Sequence, residues 1–285
     1  MKVWLNSKII DANTAKVSIF DRGFLYGDGV FETMRGYGSS VFKIDEHLDR
    51  LYGSLKRIGI KIPYSKTLLK KQISRLIKIN RLADAYVRVT ATRGEGRIGF
   101  AAISLKRSTV IIAVNPFTPY PKKMYQKGVS LKITKIRQNE NSPLSGIKST
   151  SFLNYILSRM SAKTAGFDDA LLLNSEGRIA EAAISNIFMV KGKYLITPPV
   201  KDGILPGITR STILKIAWPI GLKPKQVSIL PEQLYSADEV FLTNSLMEVM
   251  PVVKINSRKI GSGKPGIFTK MFHSAYRICA RSSIG

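Results

Sequence analysis

Residues 146–166 read GIKSTSFLNYILSRMSAKTAG, and residues 168–197 read DDALLLNSEGRIAEAAISNIFMVKGKYLIT; together they decide the fold. In the first stretch, apolar side chains recur at helical spacing after Lys148, and a glycine ends the pattern. The second stretch indicates extended segments separated by two turns. The pattern predicts Lys148 at the start of a helix and Glu181 on a nearby strand, where the two side chains could face each other across a bound ring.

Taken alone, Lys148 and Glu181 also fit ordinary structural roles. The chain has 45 Lys and Arg residues, and a lysine is usually a solvated surface charge. Glu181 lies in the small, apolar run AEAAISNIF (180–188), where a buried carboxylate would need a partner, although an edge strand would leave it exposed. Composition and spacing leave both interpretations open.

Length and composition are those of a globular protein. The 285 residues suffice for one large or two modest domains. The single cysteine, Cys279, excludes an intramolecular disulfide and is consistent with a reducing compartment. The first residues show no signal-peptide pattern, and no stretch reaches the roughly 18 apolar residues of a membrane helix. We therefore expect a cytoplasmic protein without a membrane partner.

The net charge of +26 would attract anions such as a phosphate cofactor, a dicarboxylate substrate or nucleic acid. The basic residues are scattered, and neither zinc-finger spacing nor an aromatic RNA-binding signature accompanies them. We therefore expect no nucleic-acid partner. His47 and His273 lack the spacing of metal ligands and belong to no Ser-His-Asp pattern, so no metal site is predicted.

Hydrophobic periodicity outlines the first part of the chain. KVWLN (2–6) and KVSIF (16–20) predict a pair of strands. FKIDEHLDRLYGSLKRIGI (42–60) predicts an amphipathic helix, residues 65–80 predict a second helix, and AYVRVTATRG (85–94) predicts a strand.

The segment GEGRIG (94–99) matches a dinucleotide-binding pattern, but the following AAISLKRSTVIIAV (101–114) favours a strand where that motif requires a helix. Nicotinamide binding is therefore excluded. Prolines and lysines in 115–128 are typical of a linker. We predict a small α/β domain over 1–115, a linker over 116–125 and a larger domain over 126–285.

The run from Lys148 through EGRIAEAAISNIF (176–188), ITPP (196–199) and LPGITR (205–210) resembles the class IV, fold-type IV pyridoxal-phosphate enzymes. That group includes branched-chain aminotransferases, D-amino-acid aminotransferases and aminodeoxychorismate lyases. The similarity covers nearly the whole chain. It implies a two-domain α/β fold with mixed sheets, a larger cofactor-binding domain, pyridoxal 5′-phosphate at the domain junction and a homodimer.

The resemblance also implies a cofactor site. Lys148 would hold the cofactor covalently and then move the Cα proton of the substrate. Glu181 would pair with the pyridine nitrogen. The resemblance gives the cofactor phosphate to Arg50 of the HLDRL pattern, the Ile208–Thr209 turn and Ser245, and Tyr155 would contact the phenolic oxygen of the ring.

Substrate residues are implied in two regions. Residues 21–42, DRGFLYGDGVFETMRGYGSSVF, resemble the family's N-terminal signature, in which the positions of Tyr26, Phe31 and Arg35 lie beside the substrate. The substrate carboxylate has two candidate readers: Tyr86 with Arg88, as in branched-chain enzymes, or Arg97, as in D-amino-acid enzymes and lyases. The sequence leaves both open.

Three functions are compatible with these sequence patterns. The first is a transaminase acting between an amino acid, of branched-chain or D-amino-acid type, and a 2-oxo acid. The second is an aminodeoxychorismate lyase that releases pyruvate and 4-aminobenzoate. Thr33 favours the lyase, because branched-chain enzymes usually carry glycine there, and so does NSLMEVMPV (244–252). The third is a basic binding protein without enzymatic activity, which would bind nucleic acid in a salt-dependent way.

Overall fold

A computed structural model describes residues 1–38, 40–96, 98–99 and 107–282. The helices are α1 Arg22–Tyr26, α2 Ile44–Arg57, α3 Lys66–Ile79, α4 Lys122–Lys127, α5 Leu153–Thr164, α6 Ile208–Ile216, α7 Pro231–Tyr235 and α8 Ile267–Ser282. The strands are β1 Lys2–Leu5, β2 Lys8–Asp11, β3 Gly29–Tyr37, β4 Ser40–Val41, β5 Asp84–Thr92, β6 Thr109–Pro116, β7 Val129–Gln138, β8 Asp169–Asn174, β9 Ile179–Ala182, β10 Asn186–Lys191, β11 Tyr194–Thr197, β12 Lys223–Gln226, β13 Glu239–Asn244, β14 Glu248–Ile255 and β15 Arg258–Lys259. None of the helices in the described ranges combines the length and the apolar character needed to cross a membrane.

Contacts between Cα atoms group the chain into two compact units. The first unit contains Met1–Thr118, Ile147–Phe152 and the described residues from Ala280 onward. The second unit contains Pro119–Gly146 and Leu153–Cys279. Strand β6 and helix α4 occupy part of the segment with linker-like composition.

The first unit is built on an antiparallel sheet with the strand order β2-β1-β6-β5-β3-β4. Helices α2 and α3 pack on one face of this sheet. Alternate residues of β5, Ala85 through Ala91, point into that core and are fully buried. Helix α3 begins after Ser65, whose hydroxyl accepts a hydrogen bond from the Leu68 N–H at 3.1 Å. The two helices predicted between residues 42 and 80 are thus confirmed.

The predicted pairing of the first strands is wrong. Strand β1 pairs with β2, immediately after it, and the described residues 16–20 form no strand. Asn6 and Ser7 both have positive φ, 45° and 73°, as a two-residue hairpin turn requires. Because this turn closes directly after Leu5, KIID takes the position predicted for KVSIF.

The second unit is built on a larger sheet with the strand order β12-β11-β10-β13-β14-β7-β8-β9, and β15 pairs with β14. Three neighbouring pairs are parallel, namely β11–β12, β14–β7 and β7–β8. Every residue of β8 is buried, and helix α5 packs against β7 and β8. A strand buried on both faces explains the continuous apolar run ALLL in its sequence.

Residues 147–152 group with the first unit, although the sequence pattern predicted them in the second domain. The N–H of Phe31 donates to the carbonyl of Lys148 at 2.9 Å, and the N–H of Thr150 donates to the carbonyl of Gly29 at 2.9 Å. Ser149 forms an antiparallel bridge with Val30. The segment therefore runs antiparallel to β3 through this isolated bridge, and the pairing fixes the position of Lys148. Helix α5 begins only at Leu153, so Lys148 lies before the helix and not at its start as predicted.

Candidate active site

One face of the first sheet carries most of the predicted substrate residues. The register of β3 and β5 pairs Phe31 with Thr90, Thr33 with Arg88 and Arg35 with Tyr86. Side chains alternate along a strand, and the intervening residues of β3 and β5 point into the helix-covered core. The six paired side chains therefore share the opposite face of the sheet.

Lys148 lies at this face, beside Phe31. Its Nζ is 4.7 Å from the centroid of the Phe31 ring and 5.7 Å from that of Phe152. The guanidinium carbon of Arg88 lies 3.8 Å from the Phe31 centroid. Both cations contact the same buried aromatic ring, which is a favourable arrangement. The structure thus brings together Lys148, Phe31 and Arg88.

Arg35 and Tyr26 occupy separate local environments within the first unit. The guanidinium carbon of Arg35 lies 4.4 Å from the Tyr37 ring centroid and 4.1 Å from that of Phe117. Tyr26 is the last residue of α1, and its hydroxyl accepts a hydrogen bond from the Gly99 N–H at 2.9 Å. Arg97 lies outside the described residues.

Arg50 is held by a buried acid that the sequence patterns did not single out. Its Nε donates to Glu32 Oε1 at 2.7 Å and its Nη2 donates to Glu32 Oε2 at 2.8 Å. His47 Nδ1 lies 2.7 Å from the same Oε2. Glu32 is only 1% exposed. A signal was present in the sequence, because residue 32 shares the core face of β3 with Val30 and Met34, where an acid requires partners.

The groups of this cluster, Glu32, Arg50 and His47, change the pKa values of the acid and the imidazole. Burial alone would raise the pKa of Glu32, but the Arg50 guanidinium and the His47 imidazole outweigh it and lower that pKa from 4.5 to about 2. Burial lowers the pKa of His47, and the charges of Arg50 and Lys148 act in the same direction. Glu32 is therefore an anion at neutral pH, and it fixes the orientation of the Arg50 guanidinium.

Replacing Glu32 by glutamine is expected to lower the free energy of unfolding at pH 7 by about 3 kcal/mol, since one pKa unit corresponds to about 1.4 kcal/mol. The pKa is depressed by folding, so this contribution is present above pH 4.5 and is lost as the pH falls towards 2. Urea unfolding across that range should show a shallower acid loss for the variant. Asp49→Asn, which removes an exposed ion pair on the same helix, is the control and should cost less than about 1 kcal/mol. Equal acid slopes for the native protein and Glu32→Gln would contradict the prediction.

Glu181 is one of the buried acids of the second unit. It lies on β9 and is 4% exposed. Its Oε1 accepts a hydrogen bond from the Tyr155 hydroxyl at 3.1 Å, and its Oε2 accepts from Asn186 Nδ2 at 3.1 Å and from the Leu205 N–H at 3.0 Å. These three donors are neutral and hold the carboxylate in one orientation.

Tyr155 contacts this acid through its hydroxyl, and the contact with the phenolic oxygen of the ring that the resemblance implies stays a prediction. It projects from α5, and burial together with the neighbouring Glu181 charge raises the pKa of its hydroxyl well above the ordinary value. The hydroxyl stays protonated at any physiological pH and can act as a permanent donor to Glu181.

Asn186, another residue missed from sequence, joins Glu181 to the start of α6. Its Nδ2 donates to Glu181 and to the carbonyl of Leu205, at 2.9 Å for the carbonyl. Gly207 precedes α6, and a Cβ at this glycine would lie 2.0 Å from Asn186 Oδ1. Only glycine allows this approach. The sequence did contain a sign of this role, because Asn186 is a polar residue at the start of the otherwise largely apolar strand NIFMVK.

The predicted phosphate residues of this unit lie at the beginning of α6 and in the turn after β13. No side chain in the described ranges caps α6 at Gly207, so the first N–H groups of the helix, at Ile208 and Thr209, are the kind that bind anions. Ser245 lies in the turn between β13 and β14. Asn186 pairs with Thr243, two residues before Ser245, so Asn186 connects the two regions.

The residues of this unit fit pyridoxal 5′-phosphate. A carboxylate held by neutral donors suits the protonated nitrogen of a pyridine ring. The buried hydroxyls of Ser185 and Thr243 find no hydrogen-bond partner among the described residues, and both belong to the segments around Asn186. Together with the uncapped start of α6, they form a polar region suited to a phosphorylated ligand.

Comparisons with known proteins agree with this chemistry. The family model for amino-transferase class IV matches residues 29–255. The chain is 34% identical to the aminodeoxychorismate lyase of Bacillus subtilis, over 91% of the chain and 88% of that protein. It is 34% identical to the D-alanine aminotransferase of Bacillus licheniformis, over 96% and 95% of the two chains. It is 31% identical to the branched-chain-amino-acid aminotransferase of Pseudomonas aeruginosa, over 96% and 91%.

Solved structures give the same result for the fold. The branched-chain amino acid aminotransferase of Escherichia coli superimposes with a TM-score of 0.94 and 30% identity, over 98% of this chain and 94% of that chain. A second branched-chain amino acid aminotransferase, solved with pyridoxamine 5′-phosphate, superimposes with a TM-score of 0.93 and 30% identity, over 97% and 92%. The mixed α/β fold is that of the fold-type IV enzymes, as the resemblance implied. The chain belongs to the amino-transferase class IV family, whose enzymes depend on pyridoxal 5′-phosphate.

Proposed function

We propose that this enzyme transfers an amino group between a branched-chain amino acid and a 2-oxo acid. The observation that carries the proposal is the cluster of Lys148, Phe31 and Arg88 on one face of the first sheet. It combines an amine, an apolar ring and a guanidinium. A substrate with an α-amino group, an apolar side chain and a carboxylate matches these three groups.

Pyridoxal 5′-phosphate, when bound, supplies an electron sink for the pair of electrons left when the substrate Cα loses its proton. In our proposal Lys148 would hold the cofactor covalently through Nζ, and its free amine would move the Cα proton of the substrate. The contact between Lys148 and the Phe31 ring supports this role, because an apolar surface beside the amine excludes water from the proton it moves.

In the second unit Glu181 keeps the pyridine nitrogen protonated, and Tyr155 supports Glu181. The first N–H groups of α6, at Ile208 and Thr209, bind the phosphate together with Ser245 and Arg50. The bidentate contact with Glu32 supports this use of Arg50, because it fixes the guanidinium plane before a ligand arrives.

We assign the substrate carboxylate to Arg88, with Tyr86 beside it on β5. The position of Arg88 supports this assignment, since Arg88 contacts the same Phe31 ring as Lys148. Arg35 and Tyr26 contribute to the wall of the substrate site. Arg97 remains the alternative reader of the carboxylate.

A second candidate is the lyase reaction that releases pyruvate and 4-aminobenzoate from aminodeoxychorismate. The identity to the Bacillus subtilis lyase favours it, as does Thr33, which lies directly opposite Arg88 in the register of β3 and β5. It requires the same Lys148 and Glu181 chemistry and needs no amino acceptor.

The two functions are separated by one set of assays. Purified enzyme is supplied with each branched-chain amino acid, as L and D enantiomers, and separately with D-alanine, in each case together with 2-oxoglutarate, and the new 2-oxo acid is measured. In parallel, pyruvate is measured from aminodeoxychorismate without any 2-oxo acid. We expect turnover in the first assay and none in the second. Pyruvate release without an acceptor, at a rate above that of transamination, would replace our proposal by the lyase, and turnover of D-alanine alone would replace the branched-chain substrate.

We also propose that the enzyme is a homodimer and works in the cytoplasm. One face of α5 exposes an apolar stripe at helical spacing, which supports burial against a second copy: Leu153 at 63%, Ile156 at 48%, Leu157 at 44% and Met160 at 60%. The single cysteine supports a reducing compartment. Sedimentation equilibrium should give twice the 31.6 kDa mass of the chain, and a monomer at micromolar concentration would contradict the dimer.

A further inference from the structure

The turn between β13 and β14 carries Ser245 and is closed around Asn244. The Oδ1 atom of Asn244 accepts hydrogen bonds from the N–H groups of Leu246, at 3.0 Å, and Met247, at 2.7 Å. Its Nδ2 donates to the carbonyl of Ile184 at 3.2 Å. The conformation of the turn is therefore defined at its first residue, and Ser245 lies inside it.

Glu248 ends this turn in a conformation that needs external support. Its φ is +63°, in the left-handed region where a residue with a Cβ is strained, and it is 3% exposed. Its carboxylate lies 2.8 Å from Nε2 of His273 and 3.9 Å from Nε of Arg277, both on α8. A buried carboxylate and a strained backbone occur at the same residue, and helix α8 holds both in place.

Tyr125 of α4 completes this arrangement. Its ring stacks on His273 with a centroid separation of 4.8 Å and an interplanar angle of 3°. Its hydroxyl donates to the carbonyl of Met247 at 3.0 Å. Two helices thus hold consecutive residues of the turn, Met247 through α4 and Glu248 through α8, and the stacked rings connect the two contacts.

From this geometry we infer that Glu248 and His273 are positioning residues, which hold the turn so that the Ser245 hydroxyl is presented to the phosphate of the cofactor. The inference rests on the proposed phosphate role of Ser245. The reason is mechanical: without the His273 contact, Glu248 loses the interaction that balances its backbone strain and relaxes towards negative φ. Relaxation at the end of a turn closed around Asn244 displaces Ser245, three residues earlier.

The test compares a phosphorylated with a non-phosphorylated ligand that both bind without a covalent bond to lysine. Apoenzyme of the full chain is titrated with pyridoxamine 5′-phosphate and with pyridoxamine. Ser245→Ala should weaken binding of the phosphorylated ligand at least tenfold, the lower end of the range for a hydrogen bond to a charged group. Glu248→Gln and His273→Phe, which keeps the stack on Tyr125, should weaken it about three- to tenfold, and all three variants should bind pyridoxamine as the native protein does.

A double variant decides whether Glu248 acts through Ser245. In the Ser245→Ala background, Glu248→Gln should cause no further loss, because the group that it positions is already absent. Glu248→Gly removes the carboxylate but adopts positive φ without strain, so it should keep near-native affinity for pyridoxamine 5′-phosphate, and a loss as large as that of Glu248→Gln would overturn the strain argument. Glu176→Gln removes an exposed ion pair with Arg178 on another turn and should leave both affinities unchanged.

The possible results distinguish a failure of the positioning role of Glu248 and His273 from a failure of the phosphate role of Ser245. Additive losses in the double variant, or equal losses for both ligands, overturn the positioning role. The same holds if Ser245→Ala weakens the phosphorylated ligand while Glu248→Gln and His273→Phe do not. Unchanged affinity of Ser245→Ala for pyridoxamine 5′-phosphate shows that Ser245 does not bind the phosphate, and the inference then fails together with that assignment.

Discussion

Replacing Lys148 by alanine is expected to reduce transamination by about 10⁴-fold or more, the largest loss from any single substitution in this chain. Lys148 has two tasks in the proposed mechanism, covalent attachment of the cofactor and transfer of the Cα proton. Neither Phe31 nor Arg88, which share its site, can take over these tasks, since the ring has no basic atom and a guanidinium offers hydrogen-bond donors but no acceptor. The rate of a single half-reaction with a branched-chain amino acid measures the loss.

Attachment is tested separately from rate. Enzyme loaded with cofactor is treated with borohydride, digested and mapped by mass spectrometry, which should locate the cofactor on the peptide that contains Lys148. Lys163, an exposed lysine of α5, serves as the control, and Lys163→Ala should keep native activity and the native adduct. An adduct on a different lysine, or activity of Lys148→Ala within tenfold of native, would refute the assignment.

Replacing Glu181 by glutamine is expected to lower kcat by about 10³-fold, the scale found when one preorganised electrostatic group is removed from an active site. Glutamine has nearly the same shape but lacks the negative charge that keeps the ring nitrogen protonated. It also turns one acceptor oxygen into a donor amide, which would face the donors from Tyr155, Asn186 or Leu205. The visible spectrum of the bound cofactor, recorded against pH, reports the loss of charge directly.

Tyr155→Phe is the matched comparison for Glu181. It removes one of these neutral donors and leaves the carboxylate in place. We expect about a tenfold loss of kcat and a smaller spectral change than for Glu181→Gln. If Tyr155→Phe were as damaging as Glu181→Gln, the tyrosine would act on the cofactor itself. If Glu181→Gln kept kcat within about threefold of native, the pairing of Glu181 with the ring nitrogen would be wrong.

Local patterns predicted the regular elements well where the period of the apolar residues was sustained. The amphipathic run LDRLYGSLKR predicted α2, and the second helix predicted over residues 65–80 agrees with α3. The prediction for residues 16–20 failed, because KVSIF has the composition of a strand while the hairpin was set by positive φ at Asn6 and Ser7. Turn geometry took precedence over strand propensity.

The partners of the buried polar residues could not be predicted from the sequence. Arg50 and Glu32 are 18 residues apart, and Tyr155 and Glu181 are 26 apart, so no short motif links either pair. Glu248 and His273 meet across 25 residues and stabilise a left-handed backbone that composition does not indicate. These partners are chosen by strand register and helix packing.

The sequence by itself determined the family and most of the helices and strands in which the period of the apolar residues is sustained, and it proposed the residues that would hold the cofactor, because those depend on spacing along the chain. Only the tertiary structure decided that Lys148 lies along β3 beside Phe31, that Tyr155 donates to Glu181, and that Glu32 orients Arg50. The physical reason is that a buried charge must be compensated within a few ångströms, and folding selects which of the distant residues provides that compensation.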